Sequence, residues 1–115
     1  MKILIVEDQV DVLECLRSYS IGLGYEVMTA ATAGDAIALL DRATPDLAFI
    51  DLILPQGSGR QVVREIYRRR LPSRTVVITA CDDLSIRKEL MAQGVSDYLF
   101  KPVTIRDLEQ LLKPA

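Results

Sequence analysis

Five short apolar runs divide the chain, and a segment with helical spacing of its apolar residues follows each of them. The β-branched and aromatic residues of these runs favour strands. The runs are KILIVE (2–7), YEVMTA (25–30), DLAFIDL (46–52), TVVITA (75–80) and DYLFK (97–101). In the third run, apolar residues stand on both sides of Asp51 without alternation, which predicts a strand buried on both faces with a carboxylate near its end.

The two segments between the first three runs carry helix signals. After the first run, helical spacing is seen at Leu13, Leu16, Ser20 and Leu23. The pattern ends at Gly24, which suits a helix C-terminus. Thr32 to Asp35 resembles a capping box before AIALLDRA, although Asp stands where Glu or Gln is preferred. We therefore predict one helix in each segment.

The remaining segments also predict helices. The loop LPQGSG (54–59) follows the third run, and helical spacing then resumes at Val62, Val63, Ile66 and Tyr67. The fourth run leads into LSIRKELMAQG (84–94), which Gly94 closes. After the fifth run, Thr104 can cap IRDLEQLL (105–112).

Strands that alternate with helices predict an α/β fold, because a right-handed helical crossover returns each strand parallel to the last. We expect residues 1–115 to form one flavodoxin-like (βα)5 domain, with a five-stranded parallel sheet in the order 2-1-3-4-5 and helices on both faces. In such folds, ligands bind beyond the carboxyl ends of the strands, where the strand order reverses.

Four of the five runs carry polar residues at or just past the carboxyl end of the predicted strand, and they are Glu7, Asp8, Asp51, Thr79 and Lys101. The second run ends in Ala30-Ala31 and has no comparable group. The order 2-1-3-4-5 places strand 1 beside strand 3 and leaves strand 2 at the edge, so the three carboxylates should converge.

Converging carboxylates repel one another, and a hard divalent cation such as Mg²⁺ relieves that repulsion. Lys101 would add a second positive charge and Thr79 a hydroxyl donor. Asp51, on the central strand, is the best nucleophile for an incoming phosphoryl group. The residues alone therefore indicate phosphoryl chemistry at this edge of the sheet.

The composition favours one folded domain, since half of the 115 residues are hydrophobic. A net charge of −2 gives no overall basic surface, so we expect no direct nucleic-acid binding by this domain. The apolar run ILIV stops at Glu7-Asp8, too soon for a signal peptide or a spanning helix, so we expect a cytoplasmic protein without membrane association. Cys15 and Cys81 are expected to be reduced thiols, because histidine is absent and two cysteines make no disulfide framework.

The ordered set IVED, FIDLILPQGSG, VITA and YLFKP resembles the receiver domain of two-component response regulators, and the resemblance covers essentially the whole chain. It implies that Asp51 is the phosphoacceptor of a phosphorelay. The donor would be a sensor histidine kinase, a histidine phosphotransfer protein or a small phosphodonor. Such a domain promotes only its own phosphorylation and dephosphorylation, and is otherwise not an enzyme.

The resemblance also implies a site for Mg²⁺ or Mn²⁺. Asp8 and Asp51 would be direct ligands, the Ile53 backbone carbonyl a third, and Glu7 a ligand through water. Glu7-Asp8 stands where many members of the receiver family have an Asp-Asp pair. Lys101 would pair with the phosphoryl group.

Structural and switching roles follow from the same resemblance. The bond from Lys101 to Pro102 is expected to be cis, and Gly59 would close the loop after Asp51. Thr79 and Tyr98 match the switch pair, in which a hydroxyl moves toward the phosphate and an aromatic ring turns into the vacated space. The face formed by the fourth helix, fifth strand and fifth helix would then bind a downstream partner or a second copy.

Ile53 and Cys81 each lie two residues beyond a site residue, where they should flank the path of the hydrolytic water. Neither is charged, so we predict a comparatively long-lived phosphoryl group.

Other interpretations remain for these residues. Each polar residue alone has an ordinary explanation, such as a solvated helix N-terminus for Glu7 and Asp8 or a partly buried strand tyrosine for Tyr98. A phosphatase with an Asp nucleophile would need a second acid at the position of Ile53, and a nucleotide-binding domain would need glycines where VEDQVD has none. A receiver-like scaffold that is never phosphorylated is the third alternative.

Overall fold

Ten elements alternate between strand and helix in the computed structural model, which describes residues 1–80 and 83–114. They are β1 (Lys2–Val6), α1 (Val10–Gly22), β2 (Glu26–Ala30), α2 (Ala33–Leu40), β3 (Leu47–Asp51), α3 (Gly59–Arg68), β4 (Arg74–Thr79), α4 (Leu84–Gln93), β5 (Asp97–Phe100) and α5 (Ile105–Leu111). Each predicted run contains a strand and a helix follows each strand, so the predicted α/β order is confirmed.

The strands form one parallel sheet in the predicted order β2-β1-β3-β4-β5. Val6 of β1 lies opposite Ala30 on one side and Ile50 on the other, and Asp51 lies opposite Ile78. The carboxyl ends of β1, β3 and β4 are therefore level with one another. This register brings the residues that follow each strand to a common edge.

Two apolar layers cover the sheet because successive strand side chains point to opposite faces. Leu4 and Val6 pack on the layer that includes α2 and α3, whereas Ile3 and Ile5 pack on the layer that includes α1 and α5. All five residues of β3 are buried, as predicted for a strand covered on both faces. A central strand held in this way gives Asp51 a fixed position.

Helix starts and ends follow from local chemistry. α3 begins at Gly59, earlier than the spacing from Val62 indicates, because Ser58 and Gln61 form a complete capping box. Thr104 caps α5 as predicted, and α4 ends at Gly94 with a φ of 112° that suits glycine. Across residues 1–80 and 83–114, no helix has the length and apolar character needed to cross a membrane.

Candidate functional site

Asp51 ends the central strand with only 4% of its surface exposed. Its Oδ1 accepts a hydrogen bond from the Ile53 backbone N–H at 3.0 Å, and its Oδ2 lies 2.8 Å from the Nζ of Lys101. A buried carboxylate is stable in its charged form only with such partners. Asp51 is thus fixed in direction by a backbone donor on one oxygen and a cation on the other.

Lys101 lies directly after β5, and its ammonium group meets three oxygens. These are Asp51 Oδ2 at 2.8 Å, Glu7 Oε1 at 2.6 Å and the Gln9 side-chain oxygen at 2.6 Å. Burial alone lowers the pKa of Lys101, but the contacts with Asp51 and Glu7 outweigh it and raise that pKa. Lys101 is therefore a permanent positive charge at the centre of the site.

The backbone fixes where Lys101 stands. Its N–H donates to the Thr79 carbonyl at 2.9 Å, which continues the β4–β5 pairing past the end of β5. The Lys101–Pro102 peptide bond is cis, the isomer expected from the sequence.

Glu7 lies just beyond β1 and is almost fully buried, at 2% exposure. Burial and then the neighbouring Asp51 raise the pKa of Glu7 to about 8, although Lys101 acts in the opposite direction. The 2.6 Å approach to Lys101 is an ion pair without hydrogen-bond geometry, and neither Glu7 oxygen has a hydrogen-bond partner among the described residues. A buried carboxylate with two unsatisfied oxygens is suited to a cation or to the water that a cation holds.

Asp8 completes the acidic cluster from the solvent side, where its side chain is exposed. Glu7, Asp8 and Asp51 each place one carboxylate oxygen within 4.8 Å of the others. An all-oxygen donor set that is open to water on one side fits Mg²⁺, which keeps several waters and binds few protein groups. The described residues therefore fit the metal that the sequence implies.

The loop after β3 passes so close to Asp51 that only glycine fits at position 59. A Cβ on Gly59 would lie 2.0 Å from the Asp51 carbonyl oxygen. An isolated bridge between Ile53 and Ser58 closes this loop, and the Ser58 hydroxyl donates to the Leu52 carbonyl at 3.2 Å. The side chain of Ile53 is 61% exposed, so the loop presents it to solvent.

Thr79 and Tyr98 occupy neighbouring strands at this end of the sheet. Thr79 is completely buried at the end of β4, opposite Phe100 of β5. Tyr98 is 8% exposed, and its ring centroid lies 5.3 Å from that of Phe100. Cys81, predicted to flank the path of the hydrolytic water, lies outside the described residues.

Two residues at or near the site were not predicted from the sequence. Gln9 is the N-cap residue of α1, but its side chain makes no cap hydrogen bond and instead accepts from Lys101. Arg87 of α4 lies over the rings of Tyr98 and Phe100. A glutamine at the start of a helix and an exposed arginine on a helix are both common. Neither Gln9 nor Arg87 therefore carried a signal in the sequence.

Comparison with known proteins decides the family. The sequence model of the response regulator receiver domain matches residues 3–113. The chain belongs to the response regulator receiver family. Receiver domains are signalling domains of two-component systems. They bind Mg²⁺ at an acidic pocket and interact with histidine kinases and downstream effectors.

Relatives of known sequence or structure cover nearly all of this receiver domain. It is 30% identical to the probable transcriptional regulator ycf27 of Porphyridium aerugineum, over 97% of this chain and 46% of that protein. A CheY-like receiver domain from Methanospirillum hungatei is 30% identical with a TM-score of 0.87, over 96% of this chain and 88% of that one. The chain spans about half the length of the first of these relatives.

A third relative concerns the metal. The receiver domain of the sensor histidine kinase PA1611 from Pseudomonas aeruginosa was solved with a magnesium ion coordinated in its active-site cleft. It is 28% identical to this receiver domain with a TM-score of 0.80, over 96% of this chain and 92% of that one.

Proposed function

We propose that this receiver domain is a phosphorylation-dependent switch that accepts a phosphoryl group on Asp51 from a histidine kinase or a histidine phosphotransfer protein. The observation that carries the proposal is the buried Asp51 carboxylate, 2.8 Å from the Lys101 ammonium and within a cluster of three acids. Glu7 is also buried beside Lys101, but Asp51 alone of the three acids ends the central strand, with its Oδ1 held by the Ile53 backbone N–H.

In the transfer step, an Asp51 carboxylate oxygen bonds to phosphorus while the bond from phosphorus to the donor's histidine nitrogen breaks. The donor histidine keeps that electron pair, and the acyl phosphate forms without an added proton. Lys101 faces the charge that collects on the phosphoryl oxygens, as preorganised cations do in phosphoryl transfer. The Ile53 N–H orients the carboxylate toward the donor.

Four groups would hold Mg²⁺ or Mn²⁺ during this step. Asp8, Asp51 and the Ile53 carbonyl would bind it directly, and Glu7 would bind it through water. The two unsatisfied oxygens of Glu7 support this assignment. When bound, the ion neutralises charge between the acids and the incoming phosphoryl group.

The acyl phosphate would act on the rest of the molecule through Thr79 and Tyr98. A phosphoryl group adds about −1.5 to −2 charges and strong acceptors, toward which the Thr79 hydroxyl can move. Tyr98 then turns and remodels the face formed by α4, β5 and α5. A shift from 1:99 to 99:1 would need about 5.5 kcal/mol of differential stabilisation.

That face carries exposed apolar side chains that suit a downstream protein partner or a second copy, namely Leu84, Met91, Phe100 and Ile105. The domain would promote its own phosphorylation from small donors and its own slow dephosphorylation, because neither Ile53 nor Cys81 can orient the hydrolytic water.

One experiment tests the phosphoacceptor assignment. The protein is incubated with Mg²⁺ and acetyl phosphate, and its intact mass is measured. We expect the mass of one added phosphoryl group in the wild type and in Asp11→Asn, whose exposed acid lies on α1 outside the site. Asp51→Asn should stay unmodified. An unmodified wild type would support the unphosphorylated scaffold instead.

A further inference from the structure

Positive charge is concentrated in one segment of the chain. Six arginines and a single acid, Glu65, fall within residues 59–74, so this segment has a net charge of +5 in a chain whose total is −2. The arginines are Arg60, Arg64, Arg68, Arg69, Arg70 and Arg74. Helix α3 and the turn that follows it therefore form a basic patch on an otherwise acidic protein.

Four of these arginines are already paired with acids. The pairs are Arg60–Glu89, Arg68–Glu65, Arg69–Asp41 and Arg74–Asp97, with nitrogen–oxygen distances of 2.5 to 3.5 Å. Arg64 and Arg70 are exposed and have no ion pair among residues 1–80 and 83–114. Their two charges are therefore available to a partner.

A groove between α3 and α4 lies beside these two cations. It contains a cavity of about 110 Å³ with a mainly apolar lining, which includes Val63, Ile66, Tyr67, Leu71, Gln93 and Gly94. Tyr67 is 63% exposed, and its ring lies 3.8 Å from the position that a Cβ on Gly94 would take. An exposed aromatic ring beside bare backbone can receive an apolar side chain from a partner.

Arg64 and Arg70 lie on either side of Tyr67 along this α3–α4 groove. Arg64 is four residues after Arg60 and three before Tyr67, a spacing that places these side chains on one face of α3. Arg60 marks that face as the one toward α4, because it pairs with Glu89. Arg70 lines the outer groove with Tyr67, and its φ of 54° is left-handed, where glycine is the usual residue.

We propose that the α3–α4 groove binds an acidic segment of a partner protein. An apolar side chain of that segment fills the cavity, and carboxylates on either side of it pair with Arg64 and Arg70. The groove goes beyond the proposed function, because it lies near the starts of β4 and β5, at the opposite end of the sheet from Asp51. It also lies on the α3 side of α4, away from the face that α4 forms with β5 and α5.

The chemistry of the groove favours a protein segment over nucleic acid. Two cations can face two carboxylates, and a cavity between helices accepts an aliphatic or aromatic side chain. Duplex nucleic acid is held mainly by many contacts to phosphates, and it has no flexible apolar side chain for such a cavity. A partner that carries both acids and an apolar side chain uses both features of the groove.

The test is a titration of the unmodified full chain with short synthetic peptides, followed by amide NMR. The first peptide is rich in glutamate and has one central leucine. The second has serine in place of that leucine, and the third has lysine in place of every glutamate. A DNA duplex of random sequence is titrated in the same way.

Three double variants separate the groove from net charge. Arg64→Gln with Arg70→Gln removes both cations, and Arg64→Lys with Arg70→Lys keeps them. Arg42→Gln with Arg106→Gln is the matched control. Both control arginines are exposed, lie outside the groove and have no ion pair within the described part of the chain.

We expect the leucine peptide to shift the amide resonances of Tyr67, Leu71 and Gly94. The serine peptide should bind about ten-fold more weakly, because it leaves the cavity unfilled. Loss of both groove cations should weaken binding of the leucine peptide about five- to twenty-fold. The double lysine variant should keep most of the affinity, and the control pair should bind as the wild type does.

Equal weakening in the control pair would overturn the proposal, because net charge rather than the groove would then attract the peptide. The absence of shifts at the groove with the leucine peptide would also overturn it. Tighter binding of the lysine peptide or of the DNA duplex would exclude an acidic protein segment as the occupant. None of these results depends on phosphorylation of Asp51.

Discussion

The side-chain oxygen of Gln9 accepts a hydrogen bond from Lys101 Nζ at 2.6 Å, although 92 residues separate the two in the sequence. The ammonium group donates hydrogen bonds to Asp51 and Gln9, and Glu7 Oε1 lies 2.6 Å from it as an ion pair. Gln9 is the neutral and most exposed of these three partners. It holds Lys101 in place without adding charge to the site.

Gln9→Ala should slow phosphorylation of Asp51 by acetyl phosphate about two- to five-fold, because Lys101 loses one of the contacts that position it. The rate is measured by intact mass at several times after mixing. Gln110→Ala, an exposed position on α5, is the control and should react at the wild-type rate. Identical rates for both variants would show that Gln9 does not position Lys101.

Mg²⁺ should stabilise the wild type against unfolding, since an ion that binds only the folded state adds stability by mass action. At ten times the dissociation constant, this gain is about 1.4 kcal/mol. Asp8→Asn should remove most of the gain while it leaves the stability without metal nearly unchanged, because Asp8 is exposed. Urea unfolding with Mg²⁺ or with a chelator measures both quantities. An undiminished Mg²⁺ effect in Asp8→Asn would contradict the assigned ligand.

Glu7 should make the metal-free protein less stable as the pH rises. Its pKa is about 8 in the folded state and near 4.5 when unfolded, so the folded state binds more protons between these values. Stability from this group is therefore complete below pH 4.5 and is lost as the pH rises through 8.

Glu7→Gln removes that titration, so its stability relative to the wild type should increase with pH. The increase should be on the order of 4 kcal/mol between pH 5 and pH 8.5, with chelator present. Glu109→Gln, at an exposed position on α5, should show no such trend. If the difference in stability between Glu7→Gln and the wild type does not change with pH, Glu7 is already charged in the folded protein at pH 5 and its pKa is not raised.

Gly59→Ala should destabilise the fold by about 2 to 3 kcal/mol, because its Cβ would overlap the Asp51 carbonyl oxygen and force the end of β3 to move. Gly34→Ala is the matched control, since a Cβ there meets nothing within 4 Å. The Gly34→Ala protein should be slightly more stable to unfolding than the wild type, by up to about 1 kcal/mol, because alanine favours a helix more than glycine does. Urea unfolding of the two variants checks the contrast, and similar losses in both would exclude the close approach as the cause.

Much of the site could be predicted because it depends on the strands rather than on side-chain packing. The carboxyl ends of the parallel strands lie at one edge of the sheet, so residues at or just beyond the ends of β1, β3 and β5 had to approach one another. Glu7, Asp51 and Lys101 are such residues, and they do meet. β2 lies at the edge of the sheet, outside β1, β3, β4 and β5, and the second run, which ends at Ala30, contributes no charged group to the site.

The contacts of Gln9 and Arg87 could not be predicted in this way. They depend on the direction that a long side chain takes from a helix, and helical spacing does not determine that direction for an exposed residue. The spacing from Val62 predicts too late a start for α3 for a related reason. The capping box of Ser58 and Gln61 lies inside a stretch whose glycines and proline indicate only a loop.

In the proposed switch, Asp51 itself carries the phosphoryl group. The protein is phosphorylated with acetyl phosphate and Mg²⁺, reduced with borohydride, which converts an aspartyl phosphate to homoserine, and mapped by peptide mass spectrometry. We predict homoserine at position 51 and at no other acid. Conversion at Asp8 or Glu7, or no conversion at all, would contradict the account.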